Sequence, residues 1–157
     1  PDSGLLLAAK NHPELVDPAL WRRFDAMLTL EMSDPKIVET AVRRFLGHSV
    51  KEFESVIPLL AASLQGSSLS DVERAVTAVR RTTALNGIEP VLGVVEMTAA
   101  HVGRLDKPAR QHLAVELAKI QAMSHSKITL LTGVSRDTIR KYAGPSPIKG
   151  RGIKREV

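Results

Sequence analysis

The sequence predicts a mainly α-helical protein with a short α/β remnant at its N-terminal end. Three observations lead to that expectation. Helix-start signals recur at Asp17-Pro18, Ser33-Asp34-Pro35, Ser70-Asp71-Val72-Glu73 and Asp106-Lys107-Pro108. Each is a capping side chain followed by an early proline or by an acid three places on. Behind these signals, apolar residues return every three or four positions, the period of one helix face. The 157 residues include 3% aromatics and no cysteine, so the core is aliphatic, and disulfides and thiolate metal sites are excluded.

Taken in order, the apolar run Leu5–Ala9 fits a strand covered on both faces, as in a parallel sheet. His12-Pro13 ends it, because the residue before a proline is pushed out of the helical region. Asp17-Pro18 reads as an N-cap with proline at the first helical position. That places Arg22 and Arg23 at or just past the end of one or two helical turns. A guanidinium pair on a short rigid element suits an anionic partner, phosphate above all, since it offers forked donors and permanent charge. A solvated pair salt-bridged to Asp25 or Glu14 fits the same residue types. Ala26–Met32 reads as a short strand or extended passage.

The helix begun at Pro35 carries Ile37, Val38, Ala41, Val42 and Phe45 on one face and stops at Gly47. A second helix, Lys51 to Gln65, has Phe53, Val56, Ile57, Leu60 and Leu64 as its stripe, with Pro58 delaying its start or kinking it. The third has Ser70 as N-cap and Glu73 completing a capping box. Val72, Val76, Val79 and Thr83 face inward, Arg74, Arg80 and Arg81 face away, and Asn86-Gly87 is the stop. Pro90 opens a fourth helix to about Arg104, with Val91, Val94, Val95, Thr98 and Val102 at helical spacing. Leu92 and Met97 give it a second apolar face. Beyond Asp106, Leu113, Leu117 and Ile120 mark another helix. Ser124 then caps a helix through Leu131, Gly133 turns the chain, and Ser135 caps a helix through Tyr142. Ile128, Leu131, Val134 and Ile139 supply the interior of that pair.

Charge is unevenly spread. Residues 1–103 hold 10 basic and 13 acidic side chains, a net of −3, whereas residues 104–157 hold 12 and 4, a net of +8. Such asymmetry points to a polyanion, nucleic acid first, as the partner of the C-terminal portion. The tail from Gly144 to Val157 adds Lys149, Arg151, Lys154 and Arg155 in a Pro- and Gly-rich setting that does not fold alone. The five histidines show no helical pairing with one another or with a useful carboxylate, so zinc is not expected. No apolar stretch approaches the roughly 18 residues of a membrane span. No signal-peptide layout opens the chain. A soluble, cytoplasmic protein without membrane partners is the expectation.

The segment AAKNHPELVDPALWRRFDAMLTL resembles the sensor-1 strand and arginine-finger segment of AAA+ ATPases, a likeness covering roughly the first 33 residues. It departs at Lys10, where the family usually has Thr. The resemblance implies that Asn11 is the sensor-1 residue, orienting the attacking water. It implies that Arg22 and Arg23 hold the finger position, reaching a nucleotide bound by the neighbouring subunit. Gly66–Glu73 is similar to the family's lid signature G-x-S-G-A-D-L-E, with Leu69 in the glycine place and Ser70 and Asp71 as lid residues near nucleotide. The phosphate-binding loop and the magnesium-binding acidic pair are absent from these residues, so the chain reads as a C-terminal fragment, inactive alone. ATP and Mg²⁺ are then cofactors of a longer parent that self-associates as a ring or filament.

SHSKITLLTGVSRDTIRKYAG is similar to the helix-turn-helix of repressors and recombinases, departing at Thr129, where Ala is usual. In such motifs the second helix enters the major groove. The resemblance sets Arg136, Thr138 and Arg140 toward base edges and Lys127 and Lys141 on phosphates; a unit used only for protein packing fits the same helices. The implied organisation is the end of a nucleotide-binding core (1–33), a helical lid (34–88), a connecting helix (89–105), a helix-turn-helix module (106–143) and a basic tail (144–157). The alternative is a non-enzymatic DNA-binding regulator whose front half is a helical dimerisation or effector domain.

Overall fold

The computed structural model describes residues 7–8, 17–27 and 34–147. The chain divides into two compact units, Pro1–Leu30 and Glu31–Val157. The described residues are mainly helical and contain no strand.

In the first unit, α1 is Pro18–Trp21. The Asp17 carboxylate accepts from the Ala19 amide at 2.8 Å, and Pro18 sits in the first turn, as the sequence implied. Of the expected Leu5–Ala9 strand, Leu7 and Ala8 are described. Both are exposed, Leu7 at 83%, and neither lies in a strand. A doubly covered strand needs neighbours on both edges and both faces, and no described residue supplies another strand. Ala26 and Met27 are likewise exposed and irregular; the remainder of both segments lies outside the described residues.

The second unit is a helical bundle. Its first helix, α2, is Pro35–Leu46, capped by the Asp34 carboxylate on the Lys36 amide. The buried face is Val38, Ala41, Val42 and Leu46. It is turned from the expected stripe, for Ile37 is 45% exposed and Leu46 replaces it. The expected helix from Lys51 to Gln65 is broken. It runs as α3 (Val50–Phe53), one 3-10 turn (Glu54–Val56) and α4 (Ile57–Ser63). Pro58 explains the break: it lies in the first turn of α4, where its missing N–H costs nothing. All five predicted stripe residues are buried, and so are Leu59, Ala61, Ala62 and Ser63. Thus α4 is enclosed nearly all round and packs against α2, α6 and α7. Burying each fully enclosed leucine contributes about 1.5–3 kcal/mol.

Helix α5 is Leu69–Asn86, with Val72, Val76, Val79 and Thr83 inward. It starts earlier than the capping box at Ser70 predicts. Ser68 is the N-cap, its hydroxyl accepting from the Asp71 amide and donating to the Asp71 carboxylate at 2.7 Å. Asp71 therefore stands where Glu73 was expected, because Ser68-x-x-Asp71 has the same reciprocal spacing two residues upstream. Arg80 does not face away: its Nη1 donates to the Phe45 carbonyl at 2.9 Å, where a helix end leaves carbonyls unpaired.

Helix α6 (Pro90–His101) packs on both α5 and α4. Its tight contact uses Gly93, where a Cβ would come within 2.9 Å of Thr83 Oγ1. Leu92, expected to pack, is 56% exposed. After a 3-10 turn (Val102–Arg104), Asp106 caps α7 (Lys107–Lys119), which lies against α4, α8 and α9. Leu113 and Leu117 are fully buried and Ile120 is partly covered. His112 does meet a carboxylate, contrary to expectation: its Nε2 is 3.8 Å from Glu116 Oε1 one turn along, and Lys119 pairs with the same oxygen at 2.6 Å. No helix among the described residues is long and apolar enough to cross a membrane.

Candidate nucleic-acid interface

The last two helices are α8 (His125–Thr132) and α9 (Arg136–Ala143). Each begins at a serine. Ser124 Oγ accepts from the Lys127 amide at 3.4 Å, and Ser135 Oγ from the Thr138 amide at 3.2 Å. Such caps stabilise a helix by about 1 kcal/mol, which matters for helices of only eight residues. Gly133, at φ +72°, ends α8 in the left-handed conformation that favours glycine, and its amide donates to the Thr129 carbonyl at 2.8 Å. The Thr132 hydroxyl then accepts from the Val134 amide at 3.2 Å, which fixes the turn into α9.

Ile128 and Ile139 are fully buried, and Leu131 and Val134 pack at the edge of the same core. With Ile139 committed to the interior, Arg136 and Arg140 share one face of α9 by their spacing of four. Arg136, Arg140, Lys141 and Lys127 are all exposed. No ion pair among the described residues involves any of them. Lys141 Nζ rests 5.4 Å from the centroid of the neighbouring Tyr142 ring, a contact that leaves its charge uncompensated. Thr138 is different. It is half-buried, and its hydroxyl lies 2.8 Å from Ser135 Oγ, so its polar atom is engaged at the helix start. Thr129 Oγ1 is covered and has no hydrogen-bond partner among the described residues.

The tail's first residues return to this unit, for the His125 amide donates to Ser146 Oγ at 3.4 Å. Lys149, Arg151, Lys154 and Arg155 lie outside the described residues.

The other candidate residues stand as follows. Asn11 lies outside the described residues. Arg22 is the C-cap of α1 and Arg23 follows in the turn; both are exposed, and neither forms an ion pair with Asp25. Ser70 is exposed in the first turn of α5. The Ser68 hydroxyl holds the Asp71 carboxyl below the usual aspartate range, and the Arg74 guanidinium pairs with its other oxygen. Asp71 also lines a cleft of about 380 Å³ where the start of α5 meets the end of α6 and the start of α7. Arg104 and His101 reach the same cleft. Neither was singled out from the sequence, because a lone Arg and a lone His on different turns carry no motif. His101 Nδ1 is within 2.9 Å of the Met97 carbonyl, which leaves Nε2 for the cleft.

No group of three or more His, Asp or Glu side chains among the described residues gathers in a way that could hold a metal ion. No protein-family model matches the chain, and comparison with curated proteins and with solved structures gives no match either.

Proposed function

We propose that this chain binds duplex DNA through α8 and α9, as the helix-turn-helix module of a larger AAA+ ATPase whose C-terminal part it forms. One observation carries the DNA reading. Lys127, Arg136, Arg140 and Lys141 are exposed on a well-capped two-helix unit, and no described carboxylate pairs with any of them. In this reading α9 enters the major groove and Arg136 and Arg140 offer guanidinium forks to guanine O6 and N7. Lys127 and Lys141 take phosphates. Thr138, with its hydroxyl turned to Ser135, braces the helix start more than it reads a base.

The ATPase part of the proposal rests on the order Asn11, Pro13-Glu14, Asp17-Pro18-Ala19 and Arg22-Arg23-Phe24-Asp25. Exposure of both arginines at the end of α1 supports it, since a guanidinium acting in trans has to leave its own chain. Here Asn11 serves as sensor 1, Ser70 and Asp71 belong to the nucleotide-facing lid, and ATP and Mg²⁺ are bound by the assembled parent in a ring or filament. The second reading, a DNA-binding regulator with a helical dimerisation domain, is favoured by Leu85 and Leu92, exposed large apolar side chains on α5 and α6.

Fluorescence anisotropy of the 157-residue chain with labelled duplex DNA tests the DNA reading. The expected result is saturable binding whose log Kd rises linearly with log salt, since each neutralised phosphate releases condensed counterions. No binding at low salt overturns it.

A further inference from the structure

We propose that the cleft between α5 and the turn after α2 is a binding site for a phosphate-class oxyanion, separate from α8 and α9. The cleft has a volume of about 350 Å³. One wall is a face of α5 on which Thr77, Arg80, Arg81 and Ala84 follow one another at i, i+3, i+4 and i+7. His48, Ser49 and Glu52 form the opposite wall, with buried Phe53 beneath.

The charge arrangement differs from that of Arg43 and Arg74 nearby. Arg43 pairs with Glu39 and Glu54, and Arg74 pairs with Asp71. Arg80 and Arg81 pair with no described carboxylate, although Glu52 lines the same cleft. Arg80 is held in place by its Nη1 bond to the Phe45 carbonyl, and its Nε is covered without a partner. That bond fixes the guanidinium where Arg80 lines the cleft. Arg81 beside it is exposed and adds a second fork. The hydroxyls of Ser49 and Thr77 and the imidazole of His48 supply further donors at the rim.

Two adjacent guanidinium groups, one of them anchored and half-buried, offer an anion paired charge and several donors. A tetrahedral oxyanion matches their planar forks better than a monovalent halide does. Free phosphate and a nucleic-acid backbone share this chemistry. The site uses none of the α8 and α9 cations, so it stands or falls apart from the DNA reading.

Titrating the full chain with inorganic phosphate, at ionic strength held constant with chloride, and following backbone amides by NMR tests the site. Saturable shifts are expected at Ser49, Thr77 and Arg81. Arg81→Gln should weaken the phosphate affinity read from those amides by about tenfold, a loss typical of one charge-assisted contact, and Arg81→Lys should recover most of it. Arg80 is left intact because it also caps α2. Linear shifts, equal shifts in chloride alone, or unchanged affinity in Arg81→Gln overturn the proposal. A duplex-DNA arm identifies the source. The same amides respond if the backbone phosphate is the ligand, and only α8 and α9 respond if the ligand is the free anion; either outcome stands with the phosphate result.

Discussion

Arginines are used in two contrasting ways along the second unit. In the α2–α5 region, Arg43 lies between Glu39 and Glu54, its guanidinium bonding the Glu54 carboxylate through Nη1 and Nη2 at 3.0 Å, while Arg74 is matched to Asp71 on its own helix. These pairs tie one turn to another. On α9, Arg136 and Arg140 follow the same helical spacing but meet no described carboxylate. The difference shows that composition alone does not mark a binding surface. What marks one is charge the chain does not neutralise itself, since exposed intramolecular pairs contribute little to stability but do occupy their donors.

The sharpest way to break this comparison is to remove the scaffold under the unpaired set. Ile139→Ala leaves a cavity beneath α9 and should cost about 2–5 kcal/mol, measured by urea denaturation, with DNA affinity falling in parallel. If affinity survives while α9 melts, the basic tail and not the helix carries binding. Next in size, Arg136→Ala and Arg140→Ala should each lose about 1–3 kcal/mol of discrimination between guanine-bearing and other duplexes. Arg43→Ala should leave DNA affinity unchanged in the same anisotropy assay; equal losses at all three positions would erase the distinction.

The smallest effect belongs to the paired set. Arg43 hydrogen-bonds Glu54 and holds its carboxyl below the ordinary value of 4.5. A depressed folded-state pKa gives stability that is present above 4.5 and lost as pH falls through the lower folded value. Glu54→Gln should therefore flatten thermal stability slightly on the acid side, below pH 4.5, and change nothing near neutrality; an unaltered acid limb would show that the pair adds no measurable stability.

Much of the bundle was legible because caps and apolar period act locally. Asp34-Pro35, Asp106 and Ser135 start helices where the residues indicate, and Ile128 and Ile139 are buried as the period requires. The errors arise where tertiary contacts choose between near-equal local options. Ser68 and Ser70 both offer a cap to α5, and Ser68 takes it through its bonds to Asp71. Arg80 looks like a solvent-facing residue until the end of α2 arrives with an unpaired carbonyl. Gly93 carried no signal in the sequence, yet a Cβ there would meet Thr83 Oγ1 at 2.9 Å. Of the candidate site, the α9 cations were picked out by the resemblance to a helix-turn-helix and by the C-terminal excess of basic residues. The engagement of Thr138 by Ser135 was not, because a side-chain rotamer is not encoded in spacing.

The enclosure of Ile57–Ser63 has a mechanical consequence. Both α2, at the front of the bundle, and α7, which carries α8 and α9, rest on this short segment. Close-packed interiors deform little, so a push applied at either end has no soft layer in which to dissipate. A cavity opened in α4 would therefore be felt by both α2 and α7, its packing partners.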